Sequence, residues 1–599
     1  MDKTIRILLI CGVLLCLLQV WLPDYYMTGD GPCHLYNAQI LHDLWSQKNK
    51  HFYENFYTIV YQPNPNWMAT VIMSLLLYIV KGIIAEKIFL TLYILSFTGG
   101  YYLLLRKISV DRSWLLIIFL FVFPHTLAKG FYNFSFSIAF YFWVVWAWLR
   151  FLEKRDMRNA GLFFTFTALL FFTHLLSFIF AAITCGALVL SYTIAHRNEN
   201  IKGYGRLFFI KNVFFLILFQ APFFFLMKWF TNKEGGMRIH LRPHFYRLIE
   251  LLEFKYQVNV THTEDILAAT AGIIMLLLFG LSFIKRKKIV WHKYDGFLFS
   301  LVLVLFIYLC FPEAFLGRLI LISMRVQPFV FILICCCIAY RFPVSAPKKK
   351  EILFGLAGLF VISVSTIVYL FFILPPGIMY HSAPGMHIVW LSIALFIAFF
   401  LTAIATISEW PYERIKISAG VSLFLCFLCL TFVRIYCLLA ASSAVSDYLS
   451  VADYIRPYKV VMPIYFSSSG TDVQGETIAD RNYLFVHVAQ YLGVGKSLII
   501  LDNYEANMGY FPISWRGQKN PYSYMNVEQA TGSVPMYPEM KTYEKNMGIN
   551  IDYVLMWDYK KDHSQETHFS QLDSLIPSGY HLIYTSPAGY AMLYERNNQ

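Results

Sequence analysis

Long apolar segments constrain this chain more than any other feature. Residues 5–22 are predominantly apolar, and crossing a bilayer as a helix takes roughly 20 such residues. Similar segments recur as far as residue 439, and hydrophobic residues make up 58% of the 599 residues, against 14% charged ones. A water-soluble chain of this length is rarely so apolar. The sequence therefore predicts a polytopic α-helical membrane protein.

The basic residues are distributed as membrane topology requires. Residues 441–599 carry 16 acidic and 11 basic side chains, a net charge of −5, whereas the net charge of the whole chain is +13. Residues 1–440 therefore carry a net charge of +18. Much of this charge lies in short loops between apolar segments, which marks those loops as cytoplasmic. Lys3 and Arg6 likewise place the N-terminus in the cytoplasm. The charge is a topology signal and does not indicate nucleic-acid binding.

The hydropathy and charge patterns together predict about 13 crossings. After the first, eleven are clear: 114–128, 136–151, 161–173, 175–195, 212–230, 266–284, 297–311, 319–340, 352–374, 388–407 and 417–439. Segments 67–80 and 88–105 both look like crossings, but two crossings there would place Arg106 and Lys107 outside. We therefore expect either that one segment lies along the membrane or that the two form one kinked crossing. The C-terminus then lies outside the cytoplasm.

The composition changes near Ser446. Apolar runs shorten to strand length at 459–466, 497–501, 553–556 and 580–584, and Gly, Pro, Asn and Asp separate them. Residues 483–492 read as a helix. We predict a membrane domain over 1–445, and a soluble α+β domain, periplasmic or extracellular, over 446–599.

The first external loop, residues 23–66, holds the most informative polar group. Asp24, Asp30 and His34 emerge just beyond the first crossing, where a carboxylate can act as a general base or bind a cation. Pro32 marks a helix start that Asp30 is placed to cap, so Asp30 has a structural interpretation as well as a catalytic one. Apolar residues then recur at helical spacing, which predicts a helix lying in the membrane interface.

A second external turn supplies further polar candidates. His125, Lys129, Tyr132 and Asn133 lie between two very apolar segments, and His174 interrupts another at an external end. Lys129 is a candidate for pairing with a phosphate, although an interfacial lysine also extends toward lipid headgroups. The other four would line the same cavity.

Arginines complete the candidate set. Arg238 and Arg242 belong to an external loop that is unusually basic, and Arg325 lies near the outer start of a crossing. Basic groups there suit an anionic headgroup such as a lipid phosphate, and an arginine within a crossing is costly and usually functional. Contact with ordinary anionic lipids is the alternative. The sequence contains no phosphate-loop, zinc-protease or serine-hydrolase motif.

The chain resembles the GT-C superfamily of membrane glycosyltransferases. The resemblance rests on residues 30–38, Asp-Gly-Pro-Cys-His-Leu-Tyr-Asn-Ala, on Pro63 and Pro65 before the next apolar segment, and on the order of crossings and tail. Residues 501–506 and 509–512 resemble the tail of uncharacterised bacterial members. The usual pair of adjacent acidic residues is missing, because Gly31 follows Asp30.

The resemblance implies a function. It implies transfer of a sugar from a polyprenyl-phosphate donor to a glycan, lipid or protein acceptor, with Asp30 as base and inversion at the anomeric carbon. It also implies a bacterial inner-membrane location. No cofactor is certain, no metal-ligand set is assigned, and a divalent cation stays open.

Two other classes remain open from the residues. A secondary transporter or flippase would show internal repeats and acidic groups within the membrane; Glu86, near the end of a crossing, is one such acid. A non-catalytic scaffold or sensor would use the tail as a receptor.

Overall fold

The computed structural model describes residues 3–109, 111–198, 206–231, 244–283, 291–315, 319–342, 412–472, 476–525, 540–558 and 579–597. The crossings expected at 352–374 and 388–407, and the candidates Arg238 and Arg242, lie outside these residues. The chain divides into two compact units. The first comprises Met1–Cys16, Ile94–Thr126 and Phe134–Val433, and the second Leu17–Tyr93, Leu127–Asn133 and Arg434–Gln599.

The described part is mostly helical, as predicted. In chain order the helices through residue 449 are α1 (Lys3–Trp21), α2 (Gly31–Ser46), α3 (Lys50–Glu54), α4 (Met68–Leu76), α5 (Ile83–Ile108), α6 (His125–Ala128), α7 (Tyr132–Glu153), α8 (Met157–Thr173), α9 (Leu175–Asn198), α10 (Arg206–Thr231), α11 (His244–Leu252), α12 (Thr263–Leu281), α13 (Gly296–Cys310), α14 (Ile322–Arg341) and α15 (Tyr412–Leu449). Shorter helices follow: α16 (Gln490–Gly493), α17 (Pro521–Tyr524) and α18 (Met540–Met547). Short 3₁₀ helices lie at Ser113–Phe121, Lys255–Gln257, Ser450–Tyr454, Glu505–Asn507 and Gly517–Lys519.

Eight of the described helices are long and apolar enough to cross a membrane. They are α1, α5, α7, α9, α10, α12, α14 and α15. Shorter apolar helices at Ser113–Ala128, Met157–Thr173 and Gly296–Cys310 coincide with other expected crossings. In the ambiguous region, α4 has 9 residues and α5 has 26, so α5 alone is long enough to cross there. The count of about 13 crossings stays a prediction.

Burial within the first unit distinguishes central from peripheral helices. In α14, 94% of the most apolar 18-residue stretch is buried within the protein, whereas in α10 only 22% of the corresponding stretch is buried. Between residues 214 and 225 the side chains that α10 leaves exposed are all apolar, as lipid-facing positions require. Arg247 of α11 is 1% exposed and donates to the carbonyl of Tyr308, while its other nitrogen lies 3.2 Å from Glu313. It therefore binds the end of α13 and the residues just beyond it.

The second unit contains a mixed five-stranded sheet. Its strands are β4 (Lys459–Tyr465), β5 (Leu498–Ile500), β7 (Tyr553–Trp557), β8 (Tyr580–Thr585) and β9 (Ala591–Arg596), in the order β5-β4-β7-β9-β8. β4 pairs in parallel with β5 and β7, and β9 pairs antiparallel with β7 and β8. The four strands predicted in the tail are confirmed. The predicted helix over 483–492 was wrong, since residues 484–489 form turns and only α16 follows.

The first external loop and the tail fold together in this unit. β1 (Tyr57–Ile59) pairs antiparallel with β6 (Ile513–Trp515) of the tail. Helix α2 is buried along nearly its whole length, and its Tyr36 hydroxyl donates to the carbonyl of Leu498 at 2.8 Å. Loop residues are therefore core residues of the second unit. Placement of α2 at a membrane interface, and a domain boundary at residue 446, stay predictions. A separate two-stranded ladder, β2 (Ala314–Phe315) with β3 (Leu319–Ile320), belongs to the first unit.

Candidate active site

Asp30 occupies the position that precedes α2, but its side chain does not cap the helix. No capping hydrogen bond reaches its carboxylate, and Thr28 Oγ1 instead accepts from the Gly31 backbone N–H at 3.1 Å. The expected capping role of the Asp30 side chain was therefore wrong, while the predicted helix start is confirmed. The carboxylate is left for other partners.

Those partners come from the tail. His487 Nε2 lies 3.9 Å from Asp30 Oδ1, and His487 Nδ1 lies 3.2 Å from Asp502 Oδ2. The His487 ring stacks on Tyr504 with centroids 4.9 Å apart, and the Tyr504 hydroxyl hydrogen-bonds Asp30. The Asp30 side chain is 15% exposed and that of His487 3%. Asp30 is thus more exposed than the histidine in a row of polar side chains that runs from Asp30 through His487 to Asp502.

A second histidine–carboxylate pair lies beside it. His34, one helical turn into α2, has its Nδ1 2.8 Å from Glu505 Oε1, and both side chains are nearly fully buried. Asn37 Nδ2 donates to Glu505 Oε2 at 2.9 Å, and the Asn37 and Asn503 amides bond each other. The polar side of α2 therefore faces the segment that follows β5, which explains why the helix is buried on that side as well.

Burial and neighbouring charges shift the pKa values of this cluster. Burial raises the pKa of Asp30, and the charge on His487 and the Tyr504 hydrogen bond oppose that rise. Burial alone would lower the pKa of His34 and of His487, but their carboxylate partners outweigh it and the pKa of each is raised. The carboxylate partners therefore favour the charged imidazolium form of both histidines.

A tight backbone contact fixes Asp30 against the second external turn. The N–H groups of Gly29 and Asp30 donate to the carbonyls of Ala128 and Lys129, both at 3.0 Å. Gly130 has φ +85°, and a Cβ there would lie 2.2 Å from the Asp30 nitrogen. Only glycine fits this position.

This contact also places Lys129 near the carboxylate. Burial lowers the pKa of Lys129 and the charge on Asp30 opposes that change. The Lys129 ammonium lies over the Tyr483 ring, 4.5 Å from its centroid. A cation held between a carboxylate and a ring face is well placed to meet an anionic ligand.

Glu86 is a further acid of this unit that the sequence did not mark as a site residue. It is fully buried at the start of α5 and accepts hydrogen bonds from Tyr132 at 2.5 Å and Tyr491 at 3.0 Å. Tyr132, an expected cavity residue, also stacks on His34 with centroids 5.3 Å apart. The segment 28–34, the second external turn and the tail thus converge within one unit.

Other expected residues have different surroundings. Asp24 is exposed. The Asn133 side chain accepts from Ala69 N at 2.8 Å and donates to Asn66 O at 3.0 Å, so it caps the start of α4.

Three candidates belong to the first unit. His125 Nδ1 lies 2.6 Å from the Val258 carbonyl. His174 and Arg325 contact the ring of Phe134, with centroids 4.9 Å apart for His174 and the Arg325 guanidinium carbon 5.9 Å from the centroid. Among the described residues, no three His, Cys, Asp or Glu side chains are grouped to hold a metal ion.

Comparisons with known proteins identify the fold. The chain is similar to the crystal structure of ArnT from Cupriavidus metallidurans bound to undecaprenyl phosphate, with 11% identity, a TM-score of 0.50, and 99% of each chain covered. The apo state of the same ArnT matches with 12% identity and a TM-score of 0.49, over 98% of this chain and 99% of that one. No protein-family profile and no curated protein sequence matches the chain. The chain therefore shares the fold of ArnT over nearly the whole length of both chains, which agrees with the GT-C-like fold expected from the sequence.

Proposed function

We propose that this protein is an integral-membrane glycosyltransferase that moves a sugar from a polyprenyl-phosphate donor to an acceptor outside the cytoplasm. The acceptor would be a glycan, lipid or protein. The ArnT neighbour is bound to undecaprenyl phosphate, which supports a donor of this lipid class. A bacterial inner-membrane location, with the N-terminus cytoplasmic and the tail periplasmic, is part of the same proposal.

One observation carries the catalytic assignment. The Asp30 carboxylate sits where a helix cap is expected, yet it makes no cap and is held instead among His487, Tyr504 and Lys129. A structural aspartate would be used by its own helix. A buried carboxylate that keeps some exposure and has a raised pKa is suited to accept a proton.

The reaction follows from these positions. The oxygen of an acceptor hydroxyl attacks the anomeric carbon of the donor sugar, and its proton passes to Asp30. The bond between the anomeric carbon and the phosphate oxygen breaks, and the electron pair leaves with the polyprenyl phosphate. A single displacement of this kind inverts the anomeric carbon. His34, paired with Glu505, borders the base.

The leaving phosphate needs positive groups, because its charge grows as the bond breaks. Lys129 is the candidate next to Asp30. Arg325 of the first unit, and Arg238 and Arg242 outside the described residues, remain proposed donor-binding groups. His125, Tyr132, Asn133 and His174 remain proposed cavity residues, and Asp24 is the reserve candidate for the base.

The test replaces the base without changing its shape. Asp30→Asn is expected to lower the transfer rate by a factor of about 10² to 10⁴, the usual contribution of a general base. The assay would follow release of polyprenyl phosphate from a panel of undecaprenyl-phosphate sugars by purified protein in detergent, with a cell-envelope extract supplying glycan, lipid and protein acceptors. Asp24→Asn is made in parallel and tests the reserve candidate, whose side chain is exposed. Binding of undecaprenyl phosphate by both variants shows that the fold is intact. Full activity in Asp30→Asn would remove Asp30 from the mechanism.

A further inference from the structure

We propose that His487, held by Asp502, is a positioning residue whose imidazolium keeps the Asp30 carboxylate ionised in a site too buried to favour that charge. The proposal rests on the proposed function only for the role of Asp30 as base. The sequence placed the base in the first loop and assigned nothing to the tail in this step.

The two ring nitrogens of His487 carry the argument. Nδ1 faces Asp502 Oδ2 at 3.2 Å, and Nε2 faces Asp30 Oδ1 at 3.9 Å. A neutral imidazole has one N–H and one lone pair, so it would turn its lone pair toward one of these carboxylates. The doubly protonated ring presents an N–H to both. With carboxylates on both sides, the imidazolium is the form that satisfies the geometry.

Asp502 is anchored so that it can hold this ring. It follows directly after β5, and its carboxylate accepts from the Tyr465 hydroxyl at 3.0 Å. Gln490 donates to the Asp502 carbonyl at 3.2 Å. The His487 ring is also fixed from its face by Tyr504. His487 therefore has little freedom to turn away from Asp30.

The other charged groups near Asp30 act in both directions. Glu505 raises the pKa of Asp30, while His34 and His487 lower it. Lys129 is a further cation close to Asp30. His487 itself is faced by Asp502, Asp30 and Glu505. Because Glu505 lies 2.8 Å from His34, their charges largely compensate each other, and His487 with its anchored partner remains to offset the burial of Asp30.

This arrangement determines in which direction the pH dependence of activity changes when His487 is removed. Asp30 works as a base only when it is deprotonated, so activity is present above the pKa of Asp30 and lost as the pH falls through it. Removing the imidazolium raises that pKa further. An opposite charge this close is worth about 1–3 pH units. Because the imidazolium of His487 also faces Asp502, we expect the acid limb of the pH–activity profile to move upward by about one unit, the low end of that range.

The experiment measures the protonation of Asp30 itself. An infrared titration of the purified protein, taken as the difference from Asp30→Asn, isolates the C=O band of protonated Asp30. In His487→Gln and Asp502→Asn this band should persist to higher pH, by about one unit. His581→Gln is the matched control, since His581 is exposed and contacts Asn597. An unchanged titration in both site variants would overturn the proposal.

Two further variants keep the test decisive. Tyr465→Phe keeps the ring and removes one donor to Asp502, so a smaller shift in the same direction is expected even if the other variants fold poorly. Asp502→Glu keeps the carboxylate that Asp502→Asn removes, so the titration of Asp30 in Asp502→Glu should be closer to that in the unsubstituted protein. The titration needs no sugar donor. If Asp30 proves dispensable for transfer but its titration moves, only the proposed function fails; if Asp30→Asn abolishes transfer and the titration stays fixed, only this inference fails.

Discussion

Gly31 occupies a position that no side chain can share. A Cβ on Gly31 would lie 2.2 Å from Thr28 Oγ1, 2.4 Å from the Tyr132 hydroxyl and 2.8 Å from Glu86 Oε1. The superfamily that this chain resembles usually carries a second acidic residue after the first. Here a carboxylate oxygen of Glu86 approaches that same place from another helix, so the acid absent from the sequence position has a counterpart in space.

This crowding makes a residue-scale prediction. Gly31→Ala is expected to destabilise the protein by about 1–3 kcal/mol, the usual cost of overpacking, and to reduce transfer because α2 carries Asp30 at its start. Thermal unfolding in detergent measures the first effect. Gly161→Ala is the matched control: Gly161 lies in α8 with nothing within 4 Å of its added Cβ, so alanine should stabilise that helix slightly. Equal unfolding temperatures for the two variants would show that the contacts around Gly31 are not tight.

At the same scale, the sequence identified the proposed base, Asp30, but not the residues that surround it. Asp30, His34 and Lys129 were identified because they lie in short polar segments between apolar ones. His487, Asp502 and Glu505 were missed, since they are separated from Asp30 by more than 450 residues and no local pattern links them. The available signal was positional: Asp502 and Glu505 follow directly after a buried strand of the tail, where sheet proteins often place functional side chains.

Among the elements, the β1–β6 ladder joins the first loop to the tail. Tyr57 pairs with Trp515 and Ile59 with Ile513, and the Val60 N–H donates to the Pro512 carbonyl at 2.8 Å. The sequence predicted neither strand, because each has only 3 residues and is defined by its distant partner. The longer tail strands were predicted correctly, since their runs of apolar residues are bounded by turn-forming ones.

This ladder can be tested with a single residue. Val60→Pro removes the N–H that bonds Pro512, and proline within a paired segment disrupts the ladder. We expect faster proteolysis within residues 47–66 and lower transfer activity. Val60→Thr is the control, because threonine keeps both the N–H and the β-branched shape. If the proline variant resists protease as the threonine variant does, the ladder contributes little to holding the loop.

Periodicity explains why α2 was only partly understood from the sequence. Its apolar residues recur at helical spacing, which correctly predicted a helix. The sequence did not predict what its polar side would contact, and in the structure His34 and Asn37 contact Glu505 and Asn503. A helix with polar partners on one side and apolar partners on the other has the same pattern as a surface helix, so the sequence could not separate the two.

For the molecule as a whole, the orientation in the membrane is the remaining prediction. The basic loops place Met157 in the cytoplasm and the tail outside. Met157 is 87% exposed and Thr542, near the start of α18, is exposed. Thr542→Cys should react with a membrane-impermeant thiol reagent in intact cells, whereas Met157→Cys should react only after the membrane is broken. The unsubstituted protein gives the background from its native cysteines. The reverse pattern would invert the topology.

The meeting of residues 30, 129 and 487–505 in one unit also sets when the protein becomes competent during its synthesis. A ribosome makes Asp30 475 residues before Glu505. Until then His34 lacks its carboxylate and Asp30 lacks the histidine that faces it. A nascent chain can insert its helices in order as they emerge, but closing this site demands some of the longest sequence separations in the chain, which fold slowly. Translation products that stop before residue 487 therefore carry Asp30 without these partners, so the proposed chemistry would wait until residues 487–505 have been made.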